Sequence, residues 1–161
     1  MEIRKAKTQN LETIISIYDK AREFMTQTGN SGQWKNGYPT RELLQQDIQE
    51  GTCYICEDEG HISGVFCFFV GEETTYQKIY KGEWLNNKPY GVIHRIAVAE
   101  HNKGVASFCI QWGLKQHPNM KIDTHQNNIP MQKNILKNGF TYCGIILKED
   151  GTTRLAYQKT I

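Results

Sequence analysis

A histidine and an arginine interrupt an otherwise apolar stretch at residues 92–98. Val92 and Ile93 before them and the residues after them are β-branched or small, which is typical of a strand buried on both faces. An imidazole is suited to act as a general base, which makes His94 a candidate, although a strand histidine can equally be a hydrogen-bonded part of the core. On a regular strand Arg95 lies on the opposite face, and we expect it to pair with a carboxylate.

A polar turn follows this strand and leads into a helix. The turn ends at Gly104, and the apolar residues after it recur at helical spacing: Val105, Phe108, Cys109 and Trp112. Unpaired backbone N–H groups at a helix N-terminus favour phosphate, and Gly104 and Ala106 leave room for it. The spacing H-x-x-G-x-A is equally compatible with an ordinary strand-to-helix turn.

The remaining sequence predicts the elements that must position these residues. Amphipathic or alternating patterns, bounded by Gly, Pro, Asn and Thr, indicate further strands over 2–7, 52–57, 61–70, 120–124, 140–147 and 153–158, and helices beginning after Asn10, Thr40 and Asn128. The segment 71–89 is too aromatic for a disordered linker, so we expect it to pack on the domain near the active site.

Three aromatic residues lie in predicted loops. Trp34 and Tyr38 belong to the Gly- and Pro-containing segment 29–39, and Trp84 belongs to 71–89. Such residues either fill the core or line a ligand cleft. We expect these three to line the side of the site that binds the acceptor, where aromatic faces suit an apolar or a cationic group.

Composition narrows the classes of function. The 161 residues predict one domain over 1–161, and 19 Lys and Arg against 17 Asp and Glu give a net charge of +2 without long charged runs. We therefore expect no nucleic-acid partner, no membrane association and a cytoplasmic location. The five cysteines suit buried, reduced thiols, and Cys53 and Cys56 of the C-x-x-C spacing point to opposite faces of a strand, so we expect no metal.

Two passages make the chain resemble the GNAT family of acetyl-CoA-dependent N-acetyltransferases, in a bacterial branch. They are I-A-V-A-E-H-N-K-G-V-A from Ile96 to Ala106, and N-x-x-M followed by G-F from Asn128 to Phe140. The resemblance covers nearly the whole chain. It implies an α/β domain with a mixed central sheet of six to seven strands flanked by about four helices.

The resemblance also implies a binding edge for acetyl-CoA. Backbone groups of Ile96, Ala97 and Val98 would bind the pantetheine arm between two splayed strands. The backbone amides of the turn and the first helical residues would hold the pyrophosphate: Asn102, Lys103, Gly104, Val105, Ala106 and Ser107. His101, at the start of this turn, is also a predicted cofactor-binding residue. Asn128 would hydrogen-bond the cofactor, act as a helix N-cap, or do both. His101 stands where Gln or Arg is usual in the family.

For catalysis the resemblance favours His94 as the base, because serotonin N-acetyltransferase of the same family also places a histidine four residues before the position of Val98. The backbone at Val98 would polarise the thioester carbonyl. Ile135 falls where many members carry a tyrosine that protonates the departing thiolate. Tyr142, Cys143 and Tyr90 are the candidates for that acid, and Asp123 and His125 are further polar candidates near the site.

The sequence therefore predicts acetyl transfer from acetyl-CoA to a primary amine of a small molecule or a peptide. One alternative is a non-catalytic acyl-CoA-binding or sensing domain, which Ile135 suggests. Another is a structural domain that has kept the fold without the cofactor. A homodimer is compatible with the sequence, and the acceptor and the general acid stay open at this point.

Overall fold

The computed structural model describes all 161 residues of the chain. Seven strands and four helices alternate along it: β1 (Glu2–Lys5), α1 (Leu11–Gln27), α2 (Arg41–Glu50), β2 (Cys53–Asp58), β3 (His61–Val70), β4 (Gly91–Val98), α3 (Val105–Gln116), β5 (Asn119–Thr124), α4 (Ile129–Lys137), β6 (Thr141–Leu147) and β7 (Thr153–Thr160). The α/β class with a mixed sheet and four helices is as predicted.

The seven strands form one sheet in the order β1-β2-β3-β4-β5-β7-β6. All neighbours are antiparallel except β4 and β5, which run parallel and pair only at Gly91 with Met120 and Val92 with Lys121. Beyond Val92 the two strands separate, as the family resemblance implied. The second half of β4 thus has a free edge toward β5, where backbone groups can bind a ligand.

A β-bulge breaks the regular alternation of β4 at Arg95. His94 lies opposite Cys67 of β3 and Ala97 lies opposite Val65, so β4 has one more residue than β3 in this interval. Arg95 has a φ of 55°, in the left-handed region. The prediction that Arg95 and His94 lie on opposite strand faces assumed a regular strand and is wrong, because both side chains line the same cavity.

Three apolar clusters fix the sheet between its covering layers. The largest lies under α3 and α4 and includes Phe66, Ile93 and Ile110. A second lies under α1 and α2, where the side chains of Ile14, Tyr18 and Leu44 are buried. Cys53 belongs to the second cluster and Cys56 to the first, so the two sides of the C-x-x-C spacing face opposite layers as predicted. All five cysteines are free and buried.

The segment 71–90 packs on the same face of the sheet as α1 and α2, over the part that these helices leave uncovered. A short 3₁₀ turn, Thr74–Tyr76, buries Tyr76 against Tyr90, Val92 and Ile146. A bridge between Tyr80 and Ile145 attaches the segment to β6. The segment therefore packs on the domain, as its aromatic content predicts. None of the helices is long and apolar enough to cross a membrane.

Candidate active site

Two cavities meet at β4. The large cavity has a volume of about 620 Å³ and is lined by His94 and Arg95, with residues from the 32–38 loop, α2, β5 and the β6–β7 turn. The small cavity, about 110 Å³, is lined by the three residues that follow, Ile96, Ala97 and Val98. The bulge at Arg95 is the point at which the strand passes from one cavity to the other.

The small cavity gathers most of the residues predicted to bind a cofactor. Besides residues 96–98 it is lined by His101, Ala106 and Asn128, and its other walls come from the ends of α1 and α4. The imidazole of His101 stacks on Phe24 of α1, with ring centroids 3.7 Å apart and planes inclined by 22°. Partial burial lowers the pKa of His101 and so disfavours the charged form of this ring.

The N-terminus of α3 lies beside this cavity without a side-chain cap. Gly104 is the N-cap residue with a φ of 74°, no side chain accepts a hydrogen bond from the first turn, and no acidic residue lies in that turn. A Cβ built on Gly104 would meet nothing within 4 Å. Asn102 and Lys103, which precede it, are exposed. The first-turn amides can therefore donate hydrogen bonds to an external anion.

Asn128 serves two structural roles at the edge of the small cavity. Its Oδ1 accepts a hydrogen bond from Met131 N at 3.2 Å and caps α4, while its Nδ2 donates to Gln33 Oε1 at 2.8 Å. The N-cap interpretation of Asn128 is thus confirmed. Ser107, also a predicted cofactor ligand, already donates to Asn134 Oδ1 at 2.6 Å, so its backbone rather than its hydroxyl is free for a ligand.

His94 lies between two carboxylates in the large cavity. Its Nε2 is 3.2 Å from Oε2 of Glu73, and its Nδ1 is 3.9 Å from Oδ2 of Asp123. The hydrogen bond with His94 is the main cause that lowers the pKa of Glu73 to about 2, so Glu73 is ionised and can only accept. Nε2 of the neutral ring therefore carries the hydrogen, and Nδ1 carries the lone pair.

Both carboxylates beside His94 are themselves held in place. Tyr76, fully packed in the core, donates its hydroxyl to Asp123 Oδ2 at 2.6 Å. Thr75 donates to Glu73 Oε1 at 2.9 Å. These contacts fix the carboxylates against the ring, so a proton taken up at Nδ1 would create a positive charge with two negative neighbours.

Arg95 connects the bulge of β4 to α2 and to the 32–38 loop. Its guanidinium forms an ion pair with Asp47, a buried residue of α2, and donates to the Tyr38 hydroxyl at 3.2 Å. Its backbone carbonyl accepts a hydrogen bond from Tyr18 at 2.7 Å. The expectation that Arg95 pairs with a carboxylate is confirmed, and the pair holds the left-handed backbone that separates the two cavities.

Two of the three predicted aromatic residues line the large cavity. Trp34 and Tyr38 both do so, and Trp34 also packs edge-on against Tyr18, with ring centroids 5.5 Å apart. Trp84 does not line it. Its indole donates to the backbone oxygen of Tyr76 at 2.9 Å and its ring faces the ammonium of Lys121, so Trp84 belongs to the packing of the 71–90 segment.

Comparison with solved structures identifies the fold and the family. An acetyltransferase of the GNAT family from Streptococcus agalactiae superposes with a TM-score of 0.91 and 32% sequence identity, over 99% of this chain and 95% of that one. The chain belongs to the GNAT family. Members from Listeria monocytogenes (19% identity, TM-score 0.72, 99% and 94% covered) and Bacillus cereus (20%, 0.66, 99% and 97%) share the fold. No family model and no curated protein sequence matches the chain.

The general acid that the GNAT resemblance implies has no evident counterpart. Ile135, at the tyrosine position, is fully buried in the core beneath α4. Tyr142 is 47% exposed on β6 and lines neither cavity. Burial raises the pKa values of Cys143 and Tyr90, and neither residue lines the two cavities. His125 also lies outside both linings, whereas Asp123 lies at His94.

Several residues at the GNAT site were not predicted from the sequence. For Glu73, the sequence predicted only that the segment 71–89, which contains it, borders the site. Asp47 and Arg154 sit on a helix face and a strand, and no spacing distinguishes them from ordinary polar residues. Gln33 accepts from Asn128 at one cavity, and its backbone oxygen accepts from Arg154 at 3.1 Å at the other. No group of three or more His, Cys, Asp or Glu residues is arranged to hold a metal ion.

Proposed function

We propose that the protein transfers an acetyl group from acetyl-CoA to a primary amine of a small molecule or peptide. The observation that carries this proposal is the division of β4. His94 faces the large cavity, and Ile96 to Val98, beyond the bulge, face the small one. A single strand thus presents a proton acceptor to one ligand and a free backbone edge to the other, with the reacting atoms between them.

The residues around the small cavity fit acetyl-CoA. The unpaired edge of β4 supports hydrogen bonding to the amide-rich pantetheine arm, and the uncapped start of α3 after Gly104 suits the pyrophosphate. The glycine leaves that approach sterically open. Acetyl-CoA, when bound there, supplies the activated thioester. The backbone N–H at Val98 is our candidate for stabilising the charge that develops on the carbonyl oxygen.

His94 would remove the proton that acetylation of an amine releases. Amines are mostly protonated at neutral pH, so a base must act directly or through one water molecule before or during attack. Nδ1 of His94 carries the lone pair, and the imidazolium that forms would face Glu73 and Asp123. The same two carboxylates would attract a protonated amine into the cavity. No side chain is assigned to protonate the thiolate, which is a good enough leaving group for solvent to serve.

An acetylation screen tests this function. Purified protein and acetyl-CoA are incubated with a panel of amines, and released thiol is measured, with His94→Ala as the inactive control. His61→Ala serves as a matched control, because His61 is exposed at the start of β3 and lines neither cavity. We expect turnover by the wild-type protein and by His61→Ala, with a large loss for His94→Ala. Equal rates for all three would exclude His94 as the base.

A second candidate function is a non-catalytic acyl-CoA-binding or sensing domain. The burial of Ile135 at the tyrosine position favours it, because no side chain there can donate a proton. Binding of acetyl-CoA without turnover of any amine would support this candidate. Failure of CoA to raise the melting temperature would exclude both functions, because a ligand that binds only the native state must stabilise it.

A further inference from the structure

We infer that the amine acceptor also carries an anionic group, as an amino acid carries its carboxylate, and that Arg154, Lys35 and Lys148 bind this group. The inference rests on the proposed function, because it concerns the acceptor of the same reaction. It is drawn from the basic side chains that line the large cavity, which come from the 32–38 loop, the β6–β7 turn and β7.

Arg154 is a buried cation without a carboxylate partner. The residue is 6% exposed and lines the large cavity. Its guanidinium donates to Oγ1 of Thr152 at 3.2 Å, to the backbone oxygen of Thr153 at 2.8 Å and to the backbone oxygen of Gln33 at 3.1 Å, all of them neutral acceptors. Arginine is almost never fully buried unless it is paired, so this site lacks the anion that its charge requires.

The arginine of β4 provides an internal contrast. Arg95 lines the same cavity, and its guanidinium forms an ion pair with the Asp47 carboxylate. Arg154 forms no ion pair, and the exposed Asp150 carboxylate accepts from the backbone N–H and hydroxyl of Thr152, at 3.0 and 2.6 Å. These hydrogen bonds first, and then the charge of Arg154, lower the pKa of Asp150, so Asp150 offsets part of that charge without pairing with it. The chain therefore gives Arg95 a carboxylate partner and leaves Arg154 able to bind an external anion.

Two lysines add positive charge to the lining of the same cavity. Lys35 and Lys148 line the cavity and form neither an ion pair nor a side-chain hydrogen bond. The pKa of His125 is lowered by burial first, and then by the positive charges of Arg154 and Lys35. A second cation on the acceptor would be repelled by these charges, so a diamine is the less suitable ligand, although Glu50, Glu149 and Asp150 also line the cavity.

The register of the sheet places the two charged ends within reach of one small molecule. Asp123 of β5 lies opposite Ala156 of β7, and Arg154 is two residues from Ala156 on the same face. Diagonal neighbours of this kind are roughly 7–8 Å apart across an antiparallel pair. An amine held near Asp123 and His94 and a carboxylate held near Arg154 thus fit a short zwitterion.

Paired acceptors test the inference. The twenty amino acids, their carboxamides, and 1,4-diaminobutane are compared by kcat/KM for thiol release and by calorimetric titration into protein saturated with CoA. We expect at least one acid to exceed its amide by about tenfold or more, since the amide lacks the charge that the buried arginine needs. Lys35→Gln, at an exposed residue, should lower the ratio of kcat/KM for the acid to kcat/KM for its amide. Arg154→Lys, which keeps the positive charge, should lower this ratio less than Arg154→Gln does. Lys133→Gln, an exposed lysine of α4, is the matched control and should leave the ratio unchanged.

The outcomes separate this inference from the function on which it rests. Turnover that favours amides or the diamine would overturn the inference and leave acetyl transfer intact. If no amine is turned over, the proposed function fails, and the titration alone decides the inference. Tighter binding of an acid than of its amide would then support an anion subsite, and equal or absent binding would overturn it.

Discussion

The two cavities that meet at β4 are built in different ways. The small cavity is mostly apolar, and one of its walls comes from a single stretch of chain, through Ile96 to Val98, His101 and Ala106. The large cavity is lined by charged and polar side chains from the 32–38 loop, α2, β3, β4, β5 and the β6–β7 turn. Backbone geometry therefore shapes one region, and side chains brought together by the fold shape the other.

The difference decides which perturbations each region tolerates. A site made of backbone groups depends on local conformation, such as the left-handed residue Gly104 before α3. A site made of side chains depends on hydrogen bonds and ion pairs between distant segments, such as His94 with Glu73 or Arg95 with Asp47. Substitutions can therefore affect one cavity without the other, and this independence can be tested at His94, Arg95, Gly104 and Glu73.

The largest effect is expected in the large cavity at His94. Replacing it by alanine removes the proton acceptor, and kcat/KM for acetylation should fall by about 10²–10⁴-fold. The acidic limb of the pH–rate profile should disappear with it, because that limb reports protonation of the base. The affinity for acetyl-CoA should stay at the wild-type value, measured by calorimetry. A matching loss of acetyl-CoA affinity would show that the two cavities are not independent.

The ion pair between Arg95 and Asp47 should give the next effect, on stability. The two side chains are only 12% and 11% exposed, so Arg95→Ala leaves an uncompensated carboxylate and should lower the free energy of unfolding by about 3–5 kcal/mol in urea titrations. Arg41→Ala removes the exposed pair with Glu12 and should cost about 1 kcal/mol or less. Equal losses for the two variants would mean that the bulge does not depend on its ion pair.

A smaller effect is expected in the small cavity at Gly104. An alanine there must adopt a φ near 74° and places a Cβ where the pyrophosphate would approach, so we expect about tenfold weaker acetyl-CoA binding, near 1.4 kcal/mol. Gly60→Ala is the matched control, since Gly60 has a φ of 79° in the β2–β3 turn and is open on all sides. Both variants should lose similar stability, and only Gly104→Ala should lose affinity.

The smallest effect concerns Glu73 and pH. Its pKa is lowered from 4.5 to about 2, so its folded carboxylate contributes stability that is fully present above pH 4.5 and is lost as the pH falls through 2. Glu73→Gln should lower the free energy of unfolding at pH 7 by about 1 kcal/mol after allowance for solvent screening. The difference from wild type should vanish near pH 2. Glu83→Gln, at an exposed residue, should show no such dependence.

The sequence predicted the small cavity better than the large one. The strand, turn and helix around Gly104 and the cap at Asn128 are local patterns, and the structure contains them within a few residues of the predicted bounds. Local periodicity also predicted the hairpins and the buried cysteines. The hydrogen bond from the Ser107 hydroxyl to Asn134 of α4 is a contact that no local pattern reveals, and the backbone amide of Ser107 stays a predicted pyrophosphate ligand.

The large cavity depends on contacts that no local pattern contains. Arg95 faces the same cavity as His94 only because of a bulge, and a bulge leaves no periodic pattern of residues from which it could be predicted. Glu73, Asp47 and Arg154 come together from three separate segments. Trp84 was predicted to line this cavity, but an aromatic residue in a loop suits a core as well as a cleft. Only its hydrogen bond to Tyr76 shows that Trp84 belongs to the packing of the 71–90 segment. The cytoplasmic location and the homodimer stay predictions.

A crystal structure of the protein with acetyl-CoA would show directly whether the two cavities meet at the reacting atoms. We expect the pyrophosphate at the first-turn amides of α3 after Gly104, the pantetheine arm along the free edge of β4 between Ile96 and Val98, and the thioester facing the large cavity within reach of His94. Acetyl-CoA bound outside the gap between β4 and β5, or a thioester turned away from the cavity that contains His94, would contradict this expectation.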